Sequence, residues 1–194
     1  MRAKSSDLRL SAIVTMLLLI AAPGRAQDQH ANPGLQADAL PCYHRELEGL
    51  AFLEGDWAVT LSTRLADGKW EDTTATSQIK RDLGGCLLVE RFAGTRQTRP
   101  FQVLSLFAFD IHSKLFQQTL TDSEHGLLAL YQGQKSQSEV TFELELIRDD
   151  GSKWTVRRVY SAVTRNSFTV ENKHSQDGGK TWAVVVKARY SRKS

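Results

Sequence analysis

From Trp57 onward the chain keeps a period of two, and that alternation constrains the fold more than any other feature. Trp57, Val59 and Leu61 alternate with Ala58, Thr60 and Ser62. Val140, Phe142, Leu144 and Leu146 face one way while Glu143 and Glu145 face the other. Successive side chains of a strand point to opposite faces, so each such run is a half-buried strand. The runs fall at about 57–62, 70–80, 86–93, 101–110, 115–122, 127–132, 140–146, 154–163, 167–173 and 181–190. Turn signals such as A-D-G (66–68), G-G (84–85), D-D-G (149–151) and D-G-G (177–179) separate them. Every connection is short enough for antiparallel neighbours, and no βαβ unit is visible. A long meander in a small domain curls and closes, which removes its edges. The expected fold is therefore all-β: a roughly ten-stranded antiparallel up-and-down barrel.

The residues before the barrel divide into three parts. Arg2, Lys4 and Arg9 precede an apolar run at 10–22, and G-R-A at 24–26 ends on a small residue. This is the pattern of a secretory signal peptide, 1–26, cleaved near Ala26. The apolar run is too short for a spanning helix, which needs about 20 residues. Residues 27–41 have no sustained period and read as a flexible lead-in. A single domain then occupies 42–194, opening with a short amphipathic helix at 43–53 that carries Leu47, Leu50 and Leu53 at spacing three. The expected location is periplasmic or secreted.

Charge is informative only after the signal is set aside. The chain has 25 basic and 22 acidic side chains. Removing Arg2, Lys4, Arg9, Arg25 and Asp7 leaves none in excess, so no nucleic-acid partner is expected. The two cysteines, Cys42 and Cys86, admit a disulfide, two buried thiols, or metal ligation by Cys42 with His44. Compartment and count favour the disulfide. It closes a loop of about 43 residues, worth about 3–4.5 kcal/mol by chain entropy.

F-L-E-G-D-W (52–57) marks the passage from helix to strand. Gly55 lets the backbone bend and Trp57 plugs one end of the barrel. This G-x-W opening resembles lipocalins and related calycin barrels, in which a late basic residue packs over the Trp; Arg189 or Arg192 is placed to do so. Further ordered pieces are G-G-C-L-L-V-E-R-F-A-G (84–94), S-L-F-A-F-D (105–110), L-F-Q-Q-T-L-T-D (115–122) and S-Q-D-G-G-K-T-W (175–182) with R-Y-S-R after it. Together they resemble a family of bacterial exported proteins known as a domain of unknown function. That resemblance implies a lipocalin-like or nitrobindin-like barrel and brings no activity.

S-Q-D-G-G-K-T-W also fits the Asp-box of glycan-active propellers. One box without repeats of blade length argues against a propeller. Asp177 can accept from turn amides and Gly178-Gly179 can take positive φ, so the box reads as a staple of the last hairpin. Trp182 is expected to share a face with Val184, Val186 and Ala188, capping the turn or the barrel rim.

No catalytic motif is recognised. The histidines His30, His44, His112, His125 and His174 lie at no spacing suited to a shared metal, and no metal site is expected. His174 is the candidate axial ligand should a nitrobindin-like pocket hold haem; no cofactor is otherwise implied. Polar residues on apolar faces are the clearest functional signal. Glu90 shares a face with Cys86, Leu88 and Phe92, and Arg158 with Trp154, Val156 and Tyr160. Ser105 and Gln118 sit among apolar neighbours. The expected ligand lining is Val103, Phe107, Phe142, Leu144, Trp154 and Tyr160, with Glu90, Ser105, Gln118 and Arg158 orienting a small, partly apolar molecule. Glu90 and Arg158 are a plausible buried pair. Two other readings stand beside this one: an enzyme using Glu90 as general acid or base, and an envelope interaction protein with a filled barrel.

Overall fold

The computed structural model describes residues 45–96, 98–148 and 150–194. The signal, the lead-in and Cys42 lie outside them. Ten strands follow a 3-10 helix at Arg45–Leu53. They are β1 Gly55–Arg64, β2 Trp70–Asp82, β3 Leu87–Arg96, β4 Arg99–Asp110 and β5 Leu115–Asp122. They continue as β6 Ala129–Lys135, β7 Val140–Ile147, β8 Lys153–Ser161, β9 Ser167–Ser175 and β10 Ala183–Arg192. Each pairs antiparallel with its sequence neighbours, and β10 closes onto β1 with Trp57 opposite Arg192 and Leu61 opposite Ala188. The closed antiparallel barrel read from the alternation is the fold.

The helix is 3-10 rather than α. With three residues per turn, Leu47, Leu50 and Leu53 fall on one line, and all three are buried. Burying each contributes about 1.5–3 kcal/mol. Arg81 at the end of β2 pairs with Glu48 (3.0 Å) and Glu54 (2.8 Å), and Lys135 of β6 donates to Gly49 O (3.0 Å). These contacts strap the helix across the end where the odd strands begin.

That end is closed. Trp57 Nε1 donates to Leu53 O (2.8 Å), and its ring meets Phe168 edge-on at 4.9 Å. Phe168 stacks on Tyr190 at 4.3 Å. Arg192, of the two basic candidates, lies 4.4 Å over Trp57; Arg189 is exposed. Gly55 has φ 141°, and a Cβ there would stand 2.3 Å from Arg192 Nη1.

One expectation about faces fails. The β9–β10 register shifts between Val184 and Val186. Val184 pairs with Lys173 and Val186 with Asn172, so the extra residue turns Val184 and Trp182 away from the face of Val186, Ala188 and Tyr190. Trp182 does not cap the rim. No helix among the described residues is long and apolar enough to cross a membrane.

Candidate functional site

Inward side chains form layers along the barrel axis. Inside the plug of Trp57, Phe168 and Tyr190, Phe107 (β4), Phe142 (β7) and Tyr160 (β8) meet edge-to-face at 5.7–6.1 Å. Phe107 and Phe142 are 0% exposed, so they make a dry floor rather than the walls of an open pocket.

One inward position farther from the helix lies a belt of polar groups. Glu90 of β3 faces Ser105 of β4 in the register, Gln118 of β5 is opposite Phe107, and Arg158 of β8 lies between Phe142 and Asn172. Ser105 and Gln118 are 0% exposed and Glu90 3%, whereas Arg158 and Asn172 are half-buried. Beyond the belt the walls are apolar and less buried. Phe92, Val156 and Tyr131 are a few per cent exposed, and Val103, Leu120 and Leu144 are half-buried. The rim carries Trp154, half-buried, with Arg148 4.5 Å over its ring and His174 against it at 5.5 Å.

The hydrogen bonds divide the belt in two. Glu90 Oε1 accepts from Ser77 Oγ (2.9 Å) and from the Tyr190 hydroxyl (3.1 Å). Gln118 Nε2 donates to the Tyr160 hydroxyl (3.1 Å). By contrast, Ser105 Oγ, Gln118 Oε1, Arg158 Nε and Asn172 Oδ1 are buried without a partner. Buried polar groups are bonded in the great majority of folded proteins, so four unpartnered atoms in one lumen need a cause.

The expected Glu90–Arg158 pair is not made. β3 and β8 are five strands apart either way around the ring, so the two groups sit on opposite walls. Glu90 takes hydroxyls instead. Burial opposes the Arg158 charge, but the oxygens of Tyr160, Tyr131, Glu90 and Tyr190 outweigh it and raise the pKa above the ordinary value. Burial pushes the Tyr160 phenol up to about 12, with Arg158 opposing, and lifts Tyr190 well above 10, helped by Glu90. Burial lowers the His174 imidazole, which favours its neutral form.

The Asp-box is self-contained. Asp177 accepts from Ser175 Oγ, Lys180 N, Thr181 N and Thr181 Oγ1 at 2.7–3.0 Å. Gly178 and Gly179 take φ of 70° and 86°. Trp182 Nε1 donates to Gly179 O (2.9 Å), and Arg157 lies 3.9 Å over its ring. The hairpin borders an outer groove of about 620 Å³ with Gln132, Glu143 and Thr155. Its donors are used internally, as a staple requires. Asp122, Glu124 and His125 also cluster, but Asp122 caps its own turn and Glu124 pairs with Arg96 at 2.6 Å.

Alternation found Glu90, Ser105, Gln118 and Arg158. It missed Ser77, Tyr131, Asn172 and Tyr190. Asn172 had a signal, since it lies between Val170 and His174 on one face; Tyr190 had none until closure brought β10 round to the first strands.

A family profile described as "Protein of unknown function (DUF1579)" matches residues 44–192. No curated protein matches the chain. The crystal structure of Rv2717c from M. tuberculosis is similar at a TM-score of 0.57 and 12% identity, covering 78% of this chain and 99% of that one. The S-type phycobiliprotein lyase CPES from Guillardia theta is similar at a TM-score of 0.51 and 10% identity, covering 84% of this chain and 99% of that one. At these identities the likeness is one of fold.

Proposed function

Because the chain belongs to the DUF1579 family, a family of unknown function, its role has to be sought in its own interior, and we propose that it binds a small, partly apolar ligand in the open half of the barrel. The observation that carries this reading is the set of four unpartnered buried atoms on Ser105, Gln118, Arg158 and Asn172, set in an apolar wall. Ligand sites are built this way: mostly apolar, with a few fixed polar groups. The floor of Phe107, Phe142 and Tyr160 would support the ligand, and Leu144, Val103 and Trp154 would flank it. Glu90, already bonded to Ser77 and Tyr190, acts in this reading as a fixed wall group rather than as an acid or base.

In this reading the mature protein lies outside the cytoplasm after cleavage near Ala26, as a calycin-type barrel whose Cys86 is tied to Cys42. The signal pattern and the G-x-W opening support it. Native mass spectrometry of the protein taken without denaturation from its own cells tests the binding. The expected result is a co-purifying mass of small-molecule size that is released on unfolding. A bare mass in repeated preparations would favour a filled barrel without cargo. A Soret band would instead identify the cargo as haem, with His174 the candidate ligand.

A further inference from the structure

Resting on the reading that the open half holds a ligand, we infer that this ligand is an amphiphilic monocarboxylate whose head sits on the Arg158 guanidinium. A guanidinium taken out of water requires an anion or a full set of acceptors. Within the belt Arg158 meets the Tyr160 hydroxyl, but its Nε is unpartnered, and Glu90 is on the opposite wall with Oε1 occupied by two hydroxyls. A planar carboxylate matches the guanidinium fork. Other donors stand nearby. The Tyr160 oxygen accepts from Gln118 Nε2, which leaves its own proton to give. Asn172, the register partner of Arg158, presents an unpartnered Oδ1, an acceptor for a further donor. A cationic head would be repelled by Arg158. A doubly charged head would exceed the one cation of the belt and face Glu90 across the lumen.

The tail follows from the walls. Leu120 and Leu144 lie between the belt and the mouth and are half-buried. At the mouth itself, the β5–β6 connection exposes Leu127 and Leu128, at 56% and 69%. Apolar side chains thus stand both beside the belt and at the end of the barrel away from the helix.

Titration calorimetry of the full mature protein at pH 8 with decanoate and with decan-1-ol tests this. One decanoate per chain is expected, bound about tenfold to a hundredfold more tightly than decanol, the margin of a charge-assisted bond. Arg158→Met should erase that margin, and Arg158→Lys should restore part of it. Equal affinity for the two probes in the unaltered protein would overturn the carboxylate inference and leave apolar-ligand binding standing. Binding of neither would overturn both. The comparison of probes on the unaltered protein decides the matter even if Arg158→Met does not fold.

Discussion

Ser105 and Ser77 offer one chemical change with two opposite expected signs. Both hydroxyls are buried, at 0% and 2% exposure, on inward faces of the same barrel. Ser77 Oγ donates to the Glu90 carboxyl at 2.9 Å, whereas Ser105 Oγ, though Ser105 is the register partner of Glu90, bonds to nothing. An unpaired buried hydroxyl costs about 1–3 kcal/mol, and the loss of a donor to a buried carboxyl costs a similar amount. Ser105→Ala removes the first penalty. The void left by one oxygen takes back a few tenths of a kcal/mol at about 24 cal/mol per Å³. A net gain near ~1 kcal/mol is expected, against a loss of about 1–3 kcal/mol for Ser77→Ala. Urea unfolding reads both: with a slope of about 2 kcal/mol/M the midpoint rises by about 0.5 M for Ser105→Ala and falls by at least as much for Ser77→Ala. Thermal midpoints should move by about 2–4 °C per kcal/mol in the same directions. If Ser105→Ala destabilises the ligand-free protein as much as Ser77→Ala does, Ser105 is satisfied in the fold and the polar belt loses one of its four open positions.

Three further outcomes are expected. Asp177, with Thr181 hydroxyl and amide and Ser175 bonded to it, has its pKa depressed to about 2 from 3.8. Its contribution is therefore complete above about pH 4 and lost as pH falls toward 2. The unfolding midpoint of Asp177→Asn should lie below that of the parent at pH 7, and the gap should close between pH 4 and 2; a gap independent of pH would refute the linkage. Gly55→Ala forces a side chain onto φ 141° and against Arg192 Nη1, so a loss of about 1–3 kcal/mol should appear in chemical unfolding, with altered Trp57 fluorescence. Thiol titration of the denatured, unreduced protein should find no reactive cysteine; two would remove the proposed Cys42–Cys86 bond.

Much of the fold was legible because a period of two leaves little choice. Parity alone put Glu90, Ser105, Gln118 and Arg158 inside, and the spacing of Leu47, Leu50 and Leu53 already carried the three-residue turn of a 3-10 helix. Two kinds of information were not local. The bulge at Val184/Val186 inserts one residue without a glycine or proline to announce it, so the face of Trp182 was misjudged. Partners across the lumen depend on which strands end up opposite each other. Glu90 and Arg158 seemed suited by charge, yet closure sets them half a ring apart and brings Tyr190 to Glu90 instead. The unpartnered state of Asn172 and Arg158 depends on the same closure, which is why the candidate site was visible as a set of residues but not as an arrangement.

Ligand binding of the proposed kind requires the barrel lumen beyond the belt to be occupied. A crystal structure of the protein purified without denaturation from its own cells tests this directly, read at Ser105 Oγ, Gln118 Oε1, Arg158 Nε and Asn172 Oδ1. Continuous density larger than water, within hydrogen-bond distance of Arg158 and running past Leu144 toward the mouth, is the predicted result. A lumen in which those four atoms bond to one another, or to nothing larger than water, would contradict it.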